Sequence, residues 1–210
     1  MRDPMRLLVL DAALSRCLAA LVVDGALHAE QSREGAHGQA AALPPLAEAV
    51  LVGALDAVAV VVGPGSFTGL RSAIALAEGI ATARVIPLVA VTTGEALAAS
   101  LPPGTAAWAV TENRRGELFL ERFDADGAAL GPAAVVAEPA LPQPEGLVYL
   151  VGDGATRAAA RMAARGWPIA LGGARQVEAL AVEAVARRRL AGELPALAVA
   201  PVYVEAPATT

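Results

Sequence analysis

Apolar residues open this chain in three short runs, Met5–Leu10, Cys17–Val23 and Ala26–Ser32, the last two separated by Asp24-Gly25. Asp-Gly between such runs is a strong hairpin signal, so three antiparallel strands in a meander are expected. The period then changes. From Gln39 to Ala54, Leu43, Leu46, Val50 and Ala54 recur at helical spacing, with Pro44-Pro45 inside the stretch. Local physics starts a helix at the prolines, whose missing N–H groups cost little in a first turn. Val58–Val62 is a continuous β-branched run ended by Gly63-Pro64-Gly65, which reads as a strand buried on both faces.

Ser66 or Thr68 can cap the helix that follows, which runs to about Arg84. Leu70, Ala73, Ile74, Ala77, Ile80 and Ala81 share one side of it, and its only charges are Arg71, Glu78 and Arg84. So few polar groups point to a protein partner, with Ala77→Glu as the substitution that tests it. Leu88–Val91 reads as a strand and Thr92-Thr93 as the cap of a helix to about Ser100. Pro102-Pro103-Gly104 then breaks the chain into lobes 1–101 and 102–210. The second lobe shows strands Ala106–Thr111, Glu117–Phe123 and Val148–Val151. A proline-rich run from Pro132 to Pro144 reads as an irregular connection, and helices follow Gly152-Asp-Gly-Ala155 and span Gln176–Ala191.

Composition alters this picture in two respects. The chain of 210 residues is 56% hydrophobic yet only 3% aromatic, so its core must be assembled from small aliphatic side chains. Mean hydropathy is +0.53, but charged residues, proline or glycine interrupt every apolar stretch before the ~18 residues of a membrane span. With no signal pattern at the start and a single Cys17, the reading is a soluble cytoplasmic protein. A net charge of −5 argues against an autonomous nucleic-acid binder.

The glycine turn is the place where chemistry would gather, because its backbone N–H groups can converge on an anion or on another backbone. No lysine exists in the chain, which excludes a Walker loop. A nucleophile elbow would need glycines where Pro64 and Thr68 stand, so Ser66 is a poor nucleophile. His28 and His37 have no metal-ligand spacing and no HExxH occurs. Glu112 and Glu117 flank a turn, and Arg157, Arg161 and Arg165 line one helical face; solvated charge is the default reading of both.

Gly63-Pro64-Gly65-Ser66-Phe67-Thr68-Gly69-Leu70-Arg71 resembles the signature of the TsaB (YeaZ) family of bacterial proteins. That family works with a catalytic paralogue, TsaD, to make threonylcarbamoyladenosine in tRNA. Thr111–Phe119 is similar to its Asp-Ala-Arg-x-Gly-Glu-Val-Tyr segment, and Pro201-Val-Tyr203 to its closing Pro-x-Tyr. This chain departs from the family at Ala12 and Glu205. The resemblance implies an α/β, two-lobed actin-like ATPase (RNase H-like) fold with mixed sheets flanked by helices, and a first long helix that begins before Pro44. It implies a non-catalytic subunit that dimerises with TsaD, or with itself, through Leu70, Ala73, Ile74, Ala77, Ile80, Ala81, Leu46 and Val50. TsaE would be an associated ATPase, and tRNA would be met only through the complex. The same fold would place a nucleotide among Asp11, Gly152 and Gly154, so ATP or ADP is admitted in the complex though none is required by the chain, and no metal. The alternative is a nucleotide-dependent ATPase or kinase; a peptidase has neither zinc motif nor nucleophile with base behind it.

Overall fold

The computed structural model describes residues 4–35, 38–113 and 116–204. Strands β1 (Arg6–Asp11), β2 (Arg16–Val23) and β3 (Ala26–Glu34) form the expected antiparallel meander. Asp24 and Gly25 both take positive φ, 47° and 75°, as a two-residue hairpin turn requires. Strands β4 (Ala57–Val61) and β5 (Leu88–Val91) add in parallel to β1, giving the order β3-β2-β1-β4-β5.

The second sheet repeats the scheme. Its strands are β6 (Ala107–Glu112), β7 (Leu118–Phe123), β8 (Ala134–Val136), β9 (Val148–Val151) and β10 (Ile169–Leu171). Read from the meander side, β8-β7-β6-β9-β10 matches the first sheet strand for strand, antiparallel over the first three and parallel over the last three. A glycine turn and a helix follow the fourth strand in both lobes: α2 (Phe67–Arg84) after β4, and α4 (Ala155–Ala163) after β9. This doubled arrangement is the two-lobed actin-like, RNase H-like fold.

The chain builds five layers. Residues of β1, β2 and β4 alternate strictly between two cores, with Leu8, Leu10, Val58 and Val60 under α1 (Gln39–Val50) and α2. Leu7, Val9, Ala59 and Val61 lie on the opposite face, packed with Val182, Val185 and Ala186 of α5 (Ala179–Leu190). Short α3 (Thr93–Ala98) joins this middle layer, sending Ala96 to the first sheet's core and Leu97 to Ala107, Ala109 and Phe123 of the second. Helix α4 covers the outer face of the second sheet.

Three expectations change. The division at residue 101 separates the sheets, but α5 returns from the second half of the chain to cover the first sheet, so core and sequence boundaries differ. The run 132–144 is not irregular throughout: it supplies β8, paired with β7, and a 3-10 turn at Glu138–Ala140. Helix α1 begins at Gln39 and runs through both prolines, as the resemblance implies, and does not start at the prolines as local physics alone suggests. Pro44 and Pro45 are exposed, as are Ala40 and Ala41, whose carbonyls would have accepted the two missing N–H bonds and can meet solvent instead.

Candidate functional site

The glycine turn lies where β4 ends, and Ser66 caps α2 by accepting the Gly69 N–H at 3.4 Å. The β1–β2 loop sits directly on it. Ser66 N–H donates to the Ala13 carbonyl at 2.7 Å, and Gln39 Nε2 fastens the same loop at the Leu14 carbonyl, 2.6 Å. A Cβ on Gly65 would collide with Ala13 O, and one on Gly69 with Ala12 O. Of the two occupants the turn could receive, an anion or a backbone, the fold supplies the backbone. Asp11 closes this loop: its Oδ1 accepts the Ala13 N–H at 2.9 Å. Burial pushes its carboxyl up to about 7. The second glycine turn is equally committed, with Gly152 N–H bonded to Ala174 O, Gly154 N–H to Val110 O and Ala155 N–H to Gly152 O. The weak nucleotide candidates Asp11, Gly152 and Gly154 thus hold the protein's own backbone.

The motif is fastened on two further sides by residues that its sequence does not announce. Thr93 donates from its N–H to Gly63 O and from its hydroxyl to Pro64 O, both at 2.8 Å. From the C-terminal segment, Val202 N–H bonds Val62 O at 2.8 Å, and Tyr203 Oη accepts from Arg71 Nε at 2.8 Å. Tyr203 also stacks on Phe67 at 5.5 Å, with the Arg71 guanidinium 3.9 Å from the Phe67 ring centre. Two of the three segments that carry the resemblance, 63–71 and 201–203, therefore form one assembly in space; Glu205 lies outside the described residues.

Between the lobes the same turn borders a cleft of about 340 Å³, lined by Ser15, Ser66, Phe67 and Thr68 on one side and by Glu112, Phe119 and Asp153 on the other. Asp153 accepts the Glu112 N–H at 2.9 Å; burial, and secondarily the neighbouring Glu112 charge, push its carboxyl upward against the hydrogen bonds it accepts. Glu117 does not join Glu112 as an acid/base pair but accepts from Asn113 Nδ2 at 3.0 Å. Deeper between the sheets, Glu121 accepts Thr92 Oγ1–H at 2.9 Å and Gly94 N–H at 2.7 Å, and burial holds it at about 7. Glu95 completes a capping box with Thr92 and pairs with Arg189 at 2.5 Å.

A second candidate surface lies on α1 and α2. Leu70, Ala73, Ala77 and Val50 are fully buried in the chain's own core, and Ile74 and Ala81 nearly so; only Leu46 and Ile80 retain exposure. The expected partner-facing side of α2 is therefore the side that covers the sheet, because its larger aliphatic residues fill the core. Facing outward instead is a shallow groove of about 300 Å³ made by Leu51, Ala75, Leu76, Gly79, Ile80 and Ala83, with Arg84 at its edge. Arg6 and Arg84 pin the adjoining loop through the carbonyls of Val52, Gly53 and Ala54, and that loop displays Val52 at 60% exposure.

The arginine row divides. Arg157 bonds Glu138 at 2.7 Å, Arg165 binds the carbonyls of Pro139 and Leu141 and stacks on Trp167, and both hold the segment between β8 and β9 against α4. Among the described residues no group of three or more His, Cys, Asp or Glu could hold a metal. His28 sits on exposed β3, and His37 lies outside the described residues. No described helix is long and apolar enough to cross a membrane.

Comparison with known proteins adds an independent line. A family model described as TsaD, tRNA N6-adenosine threonylcarbamoyltransferase, matches residues 45–148. The tRNA threonylcarbamoyladenosine biosynthesis protein TsaB of Escherichia coli is 31% identical over 134 residues, 58% of this chain and 56% of that protein. An uncharacterized protein of Mycobacterium tuberculosis is 35% identical over 125 residues, 59% of this chain and 56% of that one. The chain thus spans about half the length of the curated relatives it matches. The crystal structure of YeaZ from Pseudomonas aeruginosa superposes with a TM-score of 0.77 at 25% identity, over 95% of this chain and 100% of that one.

Proposed function

The chain belongs to the TsaB/YeaZ family, and from that premise we propose that it is the non-catalytic subunit of a tRNA N6-threonylcarbamoyladenosine synthesis complex, dimerising with TsaD and activating it. One observation carries the reading: both glycine turns, the positions where a nucleotide-using relative would hold phosphates, are closed on the chain's own backbone. A molecule built this way contributes surface rather than turnover. The surface is the outward groove of α1 and α2, whose small residues let a helix approach closely. TsaE would join as the ATPase of the assembly, ATP or ADP would enter with the complex, tRNA would be met through it, and the location would be cytoplasmic. In the absence of TsaD the same groove would serve self-association.

Ala77→Glu does not test this, because Ala77 is fully buried and a carboxylate there would unfold α2 from the sheet. Gly79→Glu does, since a Cβ on Gly79 meets nothing within 4 Å. Size-exclusion chromatography with light scattering, on the chain alone and mixed with TsaD of the same organism, should show a heterodimer that Gly79→Glu abolishes without lowering thermal stability. A chain that never associates with TsaD, or a Gly79→Glu variant that associates as well as the parent, would return the assignment to the independent ATPase or kinase.

A further inference from the structure

The chain repeats one scheme, three meandering strands, then a strand with its helix, then another strand and helix, so α3 after β5 is the counterpart of α5 after β10. Each of these two helices crosses to the inner face of the other sheet: α5 lies on β1, β4 and β5, and α3 on β6 and β7. The cover is unequal. Helix α5 has 12 residues and α3 has 6, stopping at Ala98 because the prolines at 102 and 103 cannot continue it. Just past the end of α3 the inner face of the second sheet stays open as a cavity of about 360 Å³. Phe123 of β7 lines it together with Ala98, Leu101, Val185 of α5 and Leu194. This cavity lies at the opposite end of the second sheet from the glycine turns: Phe123 pairs with Ala107 where β6 starts, whereas Leu118 pairs with Glu112 where β6 ends.

Four charged residues also line this cavity, and two of them are already answered by neighbours. Glu95 pairs with Arg189, and Arg188 with Glu193 at 3.5 Å. The other two, Asp124 and Asp126, are both carboxylates and stand on the turn after β7. Asp124 engages Oδ1 with the N–H groups of Asp126 and Ala128, at 3.0 and 2.8 Å. The Asp126 carboxylate has no hydrogen bond or ion pair among the described residues. Thr105 adds a hydroxyl, and Pro102 and Pro103 can offer carbonyl oxygens but no N–H. The excess of acceptors and of negative charge favours a cation. A metal ion is not the match, since among the described residues no group of three or more His, Cys, Asp or Glu could hold one. An apolar cavity of this size at a boundary between lobes, with a few polar groups to orient its guest, is the usual form of a small-molecule site. We propose that this cavity binds a small organic amine, its hydrocarbon part against Phe123, Leu101 and Val185 and its ammonium group at Asp124 and Asp126. Because α5, the 101–105 crossing and the turn after β7 all border the cavity, its occupant joins the two lobes.

Calorimetric titration of the full chain with 2-phenylethylamine, 2-phenylethanol and phenylacetate, at neutral pH and constant ionic strength, tests this, because the three differ chiefly in charge. The amine should bind at millimolar concentration or below, at least ~3-fold more tightly than the alcohol, as an exposed charge pair warrants, and ~10-fold more tightly than phenylacetate. Asp126→Asn should cut the preference for amine over alcohol by ~2-fold or more. It should leave the thermal midpoint of the free protein unchanged, since that carboxylate has no described partner to lose. Ala184→Leu, at an exposed position of α5 that lines the cavity, should fill it and abolish binding of amine and alcohol alike. The proposal is overturned by an amine that binds no more tightly than the alcohol, that keeps its full preference in Asp126→Asn, or that binds Ala184→Leu as it binds the parent. Absence of amine binding at millimolar concentration overturns it too. None of these readouts involves TsaD or the α1–α2 groove, which lies across the first sheet from α5.

Discussion

Gly69 shows what the signature motif is for at the level of single atoms. It lies in the first turn of α2 with ordinary helical geometry, so it is not needed for a left-handed backbone; it is needed because the Ala12 carbonyl occupies the place of its side chain. Gly65 answers to the Ala13 carbonyl in the same way. The obstacle is backbone held by the Asp11 turn, which cannot move aside cheaply. Gly69→Ala should therefore destabilise the protein by about 3 kcal/mol, at the upper end of overpacking effects, measurable in urea unfolding. A loss below about 0.5 kcal/mol would mean that the β1–β2 loop does not rest on the turn. The glycines were legible as a tight approach, but which partner approaches was not, since Ala12 lies 57 residues before Gly69 and Ala13 lies 52 before Gly65, and neither carries a distinguishing side chain.

Among the elements, α2 ends unusually. Its C-cap, Val85, has φ 55° and ψ 48°, and the side chain is 91% exposed. A left-handed cap is ordinary, but a β-branched residue there is strained and this one gains almost no burial in return. Val85→Gly should raise stability by about 1 kcal/mol, read as a higher urea midpoint; a lower midpoint would show that the valine makes a contact worth more than the strain. Helix existence and direction followed from spacing and caps: Thr92 and Glu95 form a full capping box, and Ser66 caps α2. Facing did not follow. Leu70, Ala73 and Ala77 on one side and Ala75, Leu76 and Gly79 on the other are nearly equally small and apolar, so periodicity could not say which stripe meets the sheet.

Over the whole molecule, the two sheets are joined through the buried carboxylate of Glu121. It reaches from β7 to the N-terminal end of α3, whose Thr93 in turn holds the carbonyls of Gly63 and Pro64. Burial raises its pKa from 4.5 to about 7, so the native state keeps a proton that the unfolded chain has released. The associated stability is fully present below about 4.5 and is lost as pH rises through about 7. Asp11, raised from 3.8 to about 7, adds a decline of the same sign. Glu121→Gln should flatten the fall between pH 5 and 8 while leaving the share due to Asp11, and it should gain relative to the parent at pH 8. Urea midpoints at four pH values in that range decide it, and an unchanged slope would remove Glu121 from the titration.

The sequence by itself determined most of the elements though not β8 or β10, the α/β class, the hairpin at Asp24-Gly25 and, through nine residues of motif, the family resemblance, because these depend on local period, turn chemistry and contiguous identity. Only the tertiary structure decided that α5 crosses back to the first sheet, that Tyr203 closes over Phe67 and Arg71, and that the glycine turns pack against the chain's own backbone. Those outcomes rest on contacts between segments as many as 161 residues apart, such as Ser15 with Gln176, where neither residue alone carries a signal of the other.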